Sequence, residues 1–548
     1  MNSQQNTESN HPLLASPALL REAADKLLRS DRVRLDRLWA YYRNPLRVLP
    51  TRTEDTSDRP YRQAQEWGLP SRVTGSVSGA GVFDTSDAEG IARKEVVIEN
   101  DIGWRIDTMI DFLFGRAIVI NSTAADPAKR EQIESLLKHV MASNGGLVFL
   151  QQIALLGAVY GSVDVLVKYA PDDHHATPAV VCSNEPTADP DSPIQSHAEP
   201  VPVEQASDSA APNPTPATAD ESPHPGASSA STGALERLAR TVRFEIVEPT
   251  RALPLLNTRD CRCACAFASV YQVERTLAPQ SRGQWLARWL AKQPVDPQRM
   301  TIIELITPTR WQRIEDDVVV SEGANSLGRL PLVHIQNTPD PLAYCGASDV
   351  EPLIPIQDEL NTRLSDRAHR VAMTSLRMYL GKGIENFTDL PIAPGRMWST
   401  DNVDANVIEL GGDGHSPSEQ AHIDDIREAM DKLSGISPIA AGAIKGRIGR
   451  LSSAAALRVT MMALLSRTER KRTVYAVAIA QLCELALAWL DQAGEFTTDP
   501  ADRGITIHWS NPIPVNEIER LEEARAKQAV GVPTAAVLRE LGYPTGEG

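Results

Sequence analysis

The sequence has few aromatic residues, no excess of basic charge and few cysteines. Aromatic residues make up 5% of the 548 positions, against 42% apolar and 23% charged residues, which is typical of a soluble globular protein. The net charge of −16 means that tight binding to nucleic acid would need a local basic patch. Six cysteines, with no secretion signal in the first ten residues, indicate reduced thiols in a cytosolic compartment. At about 150 residues per domain, the length predicts three or four compact units.

The sequence also lacks the short motifs that mark common catalytic and nucleotide-binding sites. It has no G-x-S-x-G, H-E-x-x-H, EF-hand loop, Walker A motif or dinucleotide-binding fingerprint. We therefore predict no catalytic residue and no cofactor. The most apolar segments, 147–167 and 473–490, contain glutamine and acidic residues, so we do not expect them to enter a membrane.

Three closely spaced cysteines form the one cluster that could bind a metal. On a strand, the spacing of Cys261, Cys263 and Cys265 would place all three sulfurs on one face. No C-x-x-C motif or nearby histidine completes a tetrahedral zinc site, so we favour ordinary buried thiols and predict no metal. The alternative, a metal-dependent enzyme centred on these cysteines, predicts stoichiometric metal.

Residues 183–232 differ in composition from the rest of the chain. They contain 10 Pro, 9 Ala and 9 Ser, together with eight acidic residues and no Lys or Arg. Such a segment cannot bury enough apolar surface to offset its chain entropy. We predict a disordered surface insertion that the core activity does not require.

Periodicity predicts an α+β fold. A helix is expected from about Ser16 to Arg43, followed by an α/β block over 96–167 with a short strand, a helix and a second strand. A polar helix over 127–143 is ended by Asn144-Gly145-Gly146. Alternating apolar residues predict strands over 241–337, and the chain beyond residue 349 is mainly helical.

Two amphipathic helices flank a short segment that is rich in turns. The first, over 349–376, has Asp349 as its expected N-cap and an apolar stripe that runs from Ile356 to Val371 and Leu376. The second, over 416–434, begins with a Ser416-Pro-Ser-Glu capping box and ends at Gly435. Its predicted stripe is Ile423, Ile426, Met430 and Leu433.

A glycine-rich basic loop precedes a segment that could form one very long helix. The loop carries Lys445, Arg447 and Arg450. Residues 452–493 contain neither Gly nor Pro, so a single helix would span ~63 Å at 1.5 Å per residue. Its middle carries four basic residues, Arg467, Arg470, Lys471 and Arg472.

In this order, these pieces resemble the portal proteins of tailed bacteriophages and prophages, of the type found in long-tailed siphophages. The resemblance covers most of 30–548 outside the insertion. It is carried by the following stretches: VVIENDIGWRIDTMIDFLFGRAIVI, NGG before an apolar helix, GAVYGSVDVLVK, LGRLPLVHIQN, GASD before LIPIQDELNTRLSD, SSAAALR, and NPIPVNEIERLEEA with LRELGY.

The resemblance implies a division of the chain into the parts of a portal subunit. The N-terminal tail and the start of the first helix are 1–29. The wing is an α/β region over 30–182 and a β-rich region over 233–348, separated by the insertion. The implied parts beyond the wing are a stem helix (349–376), the clip (377–415), a second stem helix (416–434), the tunnel loop (435–451), the long wing helix (452–493) and the crown (494–548).

The resemblance also implies a function without catalysis. Portal subunits form a ring, typically of twelve, at one capsid vertex, through which double-stranded DNA is packaged, retained and ejected without sequence recognition. The implied partners are the large terminase subunit, the major capsid and scaffold proteins, and the head-completion or adaptor proteins; the implied location is the virion, after assembly in the host cytoplasm.

Twelve copies of Lys445, Arg447 and Arg450 would form a basic collar that contacts DNA phosphates. The alternative for these residues is pairing with acidic groups on neighbouring subunits. For the whole chain, the alternative is a non-portal helical scaffold or adaptor protein, which predicts a monomer or small oligomer without an axial channel.

Overall fold

The computed structural model has the predicted α+β architecture. It describes residues 11–14, 16–48, 61–74, 95–170, 228–275, 298–375, 378–383, 402–410, 417–441, 459–512, 517–534 and 537–538. All strand pairs within these ranges are antiparallel. The loop residues Lys445, Arg447 and Arg450 lie outside the described residues, as do 183–227 of the predicted insertion.

The predicted N-terminal helix forms as two α-helices joined by a π-helical turn. Helix α1 (Pro17–Lys26) is capped by Ser16, and the turn at Leu27–Asp31 leads into α2 (Arg32–Arg43). A π turn adds a residue and so rotates the apolar stripe. As a result, Leu20 of α1 packs in a cluster with one sheet, whereas Leu38 of α2 packs in the main core.

The α/β block that follows matches the prediction except at its start. A short helix α3 (Ser71–Thr74) precedes it, and the block contains α4 (Asp101–Phe114), β3 (Val119–Ser122), α5 (Pro127–Ser143), α6 (Gly146–Tyr160) and β4 (Ser162–Tyr169). The strand predicted before α4 is wrong: residues 95–100 are not part of a sheet. Helix α7 (Ser228–Arg240) begins inside the last five residues of the predicted insertion, so the disorder predicted for those five is also wrong.

Two sheets form the β-rich region. Strands β5 (Val242–Val247) and β11 (Leu332–Gln336) flank β4 in a three-stranded sheet of order β11-β4-β5. A five-stranded meander has the order β10-β9-β8-β7-β6. Its strands are β6 (Ala252–Leu256), β7 (Ala264–Arg275), β8 (Gln298–Ile306), β9 (Arg310–Glu315) and β10 (Val318–Ala324).

The region beyond residue 349 is mainly helical, as predicted. Helix α8 (Ile354–Ser375) leads to a hairpin of β12 (Met378–Lys382) and β13 (Asn406–Leu410), and α9 (Pro417–Ser434) follows. The remaining elements are α10 (Met462–Gln492), β14 (Ile505–His508), which pairs with β3, and α11 (Glu517–Ala529). Two positions of the predicted stripes are wrong, because Val371 is 49% and Leu433 is 43% exposed.

Helix α10 lies at the centre of the main core. Within the described residues it begins at Met462, after a turn at Met461, and residues 452–458 of the predicted helix over 452–493 lie outside the described residues. Its 31 residues span about 46 Å at 1.5 Å each. Tyr475, Ile479 and Leu482 have almost no exposed surface and pack against helices α4 and α6 and the three-stranded sheet.

Helix α10 is also apolar and long enough to cross a membrane, although 56% of its most apolar window is buried inside the protein. Helices α5 and α6 would meet the same test only as a pair bent by 66°.

Candidate functional site at the base of the helical excursion

Residues 349–434 leave the core as α8, form the β12–β13 hairpin, and return as α9. We call this segment the helical excursion, and its base is the place where both of its ends meet α10. The base carries a set of buried charged side chains. The predicted basic loop (435–451) follows it directly in the chain, and residues 442–451 of that loop lie outside the described residues.

The outgoing end of the excursion is fixed by Lys471 of α10. Its ammonium group donates to the Asp349 carboxylate at 2.6 Å and to the side-chain oxygen of Asn337. Burial lowers the pKa of Lys471 from its ordinary value, and the Asp349 charge opposes that shift. Because Asn337 directly follows β11, this one cation joins α10, the three-stranded sheet and the start of the excursion.

The predicted role of Asp349 as a helix cap is therefore wrong. The hydroxyl of Ser348 accepts from the backbone N–H groups of Val350 and Glu351 instead, at 3.1 and 3.2 Å. The Asp349 carboxylate instead pairs with the buried ammonium group of Lys471. This pairing stabilises the protein more than a helix cap would.

The returning end of the excursion is fixed by two arginines. Arg105 of α4, with only 2% of its side chain exposed, donates to the carbonyl of Ile436 at 2.7 Å and pairs with Asp431 at 2.7 Å. Burial raises the pKa of Asp431, and the charge of Arg105 opposes that shift. Arg467 of α10 donates to the carbonyl of Leu433, which satisfies the C-terminus of α9.

Gly435 turns the chain at this point, as the sequence predicted. Its φ of 69° is in the left-handed region, and a Cβ there would lie 3.1 Å from the side chain of Arg467. A 3-10 turn at Pro438–Ala441 follows, and Ile436 is buried beside Met109 and Leu464. The start of the loop is therefore held by packing as well as by charge.

Arg467 and Lys471 lie one turn apart on α10. Residues four apart face the same side of a helix. One turn of α10 thus holds both ends of the helical excursion. Four basic residues in this helix were noted in the sequence; of these, Arg472 is also buried, donates to the Ser510 carbonyl at 2.9 Å and lies over the ring of Trp509.

Helix α8 also has a buried polar stripe that the sequence analysis missed. Gln357, Asn361 and Ser365 follow one another at intervals of four residues and have no exposed surface. The backbone N–H of Val97 donates to the Ser365 hydroxyl, and that of Glu99 to the Asn361 side chain, both at 3.0 Å. These side chains replace the partner strand that residues 95–100 lack, and the four-residue spacing of small polar residues was a usable signal.

Between the base and the hairpin, polar contacts that range from half-buried to exposed join α8 to α9. Arg370 pairs with Glu419, Arg367 donates to Gln420 at 2.8 Å, and His422 lies 3.6 Å from Glu359. A side-chain hydrogen bond from Arg363 lowers the pKa of Glu359.

The cysteine cluster does not form a metal site in the part of the chain that the structure describes. Cys261 and Cys263 lie in the turn before β7 and are exposed, and Cys265 alone lies on the strand, so the prediction of one strand face is wrong. Among the described residues, no three or more His, Cys, Asp or Glu side chains are grouped to hold a metal ion.

Comparison with known proteins identifies one matching family model. The model described as "Phage portal protein, SPP1 Gp6-like" matches residues 236–542, more than half of the chain. The match includes the helical excursion, the loop and α10. No curated protein matches the sequence.

Solved structures also match, among them one titled "Virion of native gene transfer agent (GTA) particle". Its identity is 11%, and the match covers 81% of this chain and 90% of that chain with a TM-score of 0.37. At that TM-score we base no argument on the likeness.

Proposed function

The chain belongs to the SPP1 Gp6-like family of phage portal proteins, and from this premise we propose that it forms the ring at one capsid vertex through which double-stranded DNA enters and leaves. The family role is structural, and ATP hydrolysis would belong to a docked large terminase subunit. The observation that carries the proposal is the family match over the helical excursion and α10, the same region whose two ends are fixed at one turn of that helix.

We assign the parts of the chain on that basis. Helices α8 and α9 are the stem, the β12–β13 hairpin belongs to the clip, α10 is the wing helix, and 494–548 form the crown. The clip would dock the terminase and later the head-completion proteins. The wing, built from 30–182 and 233–348, would face the major capsid and scaffold proteins.

The loop after the stem would line the channel. Its start is held by Arg105 and by the buried side chain of Ile436. A ring multiplies these three cations into a collar, and contacts with phosphates carry no sequence information. The generally acidic chain would keep DNA from binding so tightly that it could not slide.

The first test is the mass and shape of the purified protein, by native mass spectrometry and negative-stain microscopy. We expect closed rings of about a dozen subunits with a central channel, since cyclic oligomers close a repeated head-to-tail contact. A monomer or small oligomer that does not close into rings even with its scaffold and capsid proteins would overturn the proposal.

The second test concerns the loop. A variant with Lys445→Ala, Arg447→Ala and Arg450→Ala should form rings but package less DNA, and its packaging should depend less on salt. The matched control removes three exposed cations elsewhere, by Arg29→Ala, Arg237→Ala and Arg259→Ala. Equal packaging by the two variants would show that the loop does not act on DNA through its charge.

A further inference from the structure

The outer strand of the five-stranded sheet exposes an apolar edge. Strand β10 pairs with β9 on one side, and among the described residues no strand pairs with its other side. Val318, Val319 and Val320 are 63%, 38% and 57% exposed. Exposed edge strands with apolar side chains are templates for pairing with another chain, and proteins that do not use them normally protect them.

A second exposed apolar element follows helix α2. Strands β1 (Leu46–Val48) and β2 (Tyr61–Gln63) form a two-stranded ribbon, in which Leu46 is 62% and Val48 is 86% exposed. A two-stranded ribbon is marginally stable by itself in water. Burial of its exposed side chains against a further apolar surface would be favourable in free energy.

The two elements carry opposite charges. The ribbon has Arg47 and Arg62, and Arg47 lies over the exposed ring of Trp67. The edge strand has Glu322, and Asp316 and Asp317 form the turn that precedes it. Surfaces with complementary charge attract each other and fix the orientation of docking.

The two elements also lie far apart in one subunit. Arg21 of α1 pairs with Asp317 at 2.9 Å, so this part of the helix lies beside the start of the edge strand. The ribbon begins just after Arg43, at the far end of α2, about 33 Å away at 1.5 Å per residue. Within the described residues of one subunit, the ribbon and the edge strand belong to separate sheets, so the ribbon does not cover its own edge strand.

We propose that the β1–β2 ribbon of one copy of this chain docks on the β10 edge of a second copy. Leu46 and Val48 cover the exposed valines, and the arginines of the ribbon face the acidic residues at Asp316, Asp317 and Glu322. The contact joins two different surfaces, so a pair of copies keeps one free ribbon and one free edge. Such a contact builds either closed rings or open filaments.

The direct test is cross-linking between copies. In a background with Cys182→Ser, Cys261→Ser, Cys263→Ser, Cys265→Ser and Cys345→Ser, which keeps only the buried Cys483, one preparation carries Val48→Cys and the other Val320→Cys. Mixed and mildly oxidised with copper phenanthroline, they should give a covalent dimer that neither preparation gives alone. A chain that carries both substitutions should give a ladder of higher oligomers.

Substitution of the edge provides a second test. Val318→Lys with Val320→Lys should reduce self-association at least tenfold, measured by sedimentation. The matched control is Val273→Lys, which adds a lysine at a similarly exposed valine of the same sheet away from β10. Folding of both variants is checked by thermal unfolding.

The outcomes separate this contact from the proposed portal ring. If rings form but the mixture gives no cross-linked dimer, the ribbon contact is wrong and the ring stands. If the mixture cross-links but only open chains form, the contact stands and the ring is wrong. Loss of binding to capsid or scaffold protein in the edge variant, with self-association intact, would assign the edge to another partner and overturn the contact.

Discussion

The base of the helical excursion and the stem above it are both held by charged side chains, but the two regions differ in burial. At the base, the side chains of Arg105 and Lys471 are 2% and 6% exposed. Along the stem, those of Arg363 and Glu359 are 35% and 41% exposed. Charged side chains thus contact the excursion in a buried environment at its base and in a more exposed one along the stem.

The difference in burial predicts a difference in how much stability is lost when one charged side chain is removed. Removal of one partner of a buried ion pair leaves an uncompensated charge and costs about 3–5 kcal/mol. An exposed pair contributes about 0–1 kcal/mol and is screened by salt. We therefore expect the loss of one charged partner to destabilise the protein more at the base than along the stem.

The largest effect is expected at Arg105. Arg105→Met should lower the free energy of unfolding by about 3–5 kcal/mol, since Asp431 and the carbonyl of Ile436 lose their buried donor. Chemical denaturation measures the change. The control is Lys432→Met, an exposed cation of the same helix as Asp431, which should leave stability unchanged. Equal losses of unfolding free energy in the two variants would mean that the burial of Arg105 does not determine its contribution to stability.

Lys471 and Asp349 should behave as a coupled pair. Lys471→Met alone should cost about 3–5 kcal/mol because it leaves the Asp349 carboxylate without its cation. Adding Asp349→Asn should recover part of that loss, which a double-mutant cycle on unfolding free energies will show. Additive losses would indicate that the two groups act independently.

Gly435→Ala should have a smaller effect, of about 1–3 kcal/mol, because an alanine at φ 69° is strained. Gly494 has a similar φ of 74°, but a Cβ there would contact nothing within 4 Å. Gly494→Ala therefore measures the backbone strain alone. A greater loss at Gly435 in thermal unfolding would give the additional cost of displacing Arg467, and equal losses would show that Arg467 moves freely.

The smallest expected effect is a difference between the two regions in how their contribution to stability depends on pH. The pKa of Glu359 is lowered, so its contribution to stability is present above its unfolded pKa and is lost as pH falls through its folded pKa. The pKa of Asp431 is raised, so its contribution grows as pH falls from its folded pKa toward its unfolded value.

Unfolding curves between pH 7 and pH 3 test this opposition. Glu359→Gln should reduce the loss of stability on acidification, by at most about 0.5 kcal/mol because the group is partly exposed. Asp431→Asn should remove a gain in the free energy of unfolding that Asp431 contributes as the pH falls. If both substitutions changed the pH dependence of the free energy of unfolding in the same direction, the predicted difference between base and stem would be wrong.

Local patterns in the sequence predicted the elements but not the buried charges that join them. The helix over 127–143, the helix that ends at Gly435 and the strands of the meander follow from caps, glycines and alternation. Arg105 was missed because its partner Asp431 is more than 300 positions away in the chain. No local pattern indicates such a distant pair, although an arginine between Ile102 and Ile106 on an apolar helix was a signal.

The buried amide stripe was missed for a different reason. The face of α8 was predicted from its apolar residues, Leu360 and Leu364, which are indeed buried. The neighbouring face buries Gln357, Asn361 and Ser365 because the backbone groups of Val97 and Glu99, which belong to no sheet, hydrogen-bond to these side chains. A hydrophobicity pattern cannot show that a backbone segment will supply hydrogen-bond partners.

The meeting of both ends of the excursion on a single turn of α10 makes the segment modular. Replacement of the β12–β13 hairpin and the adjoining ends of α8 and α9 would leave the contacts of Lys471, Arg467 and Arg105 at the base in place, together with the buried polar stripe of α8. The same geometry makes the segment a natural place to graft a designed adaptor onto the rest of the subunit.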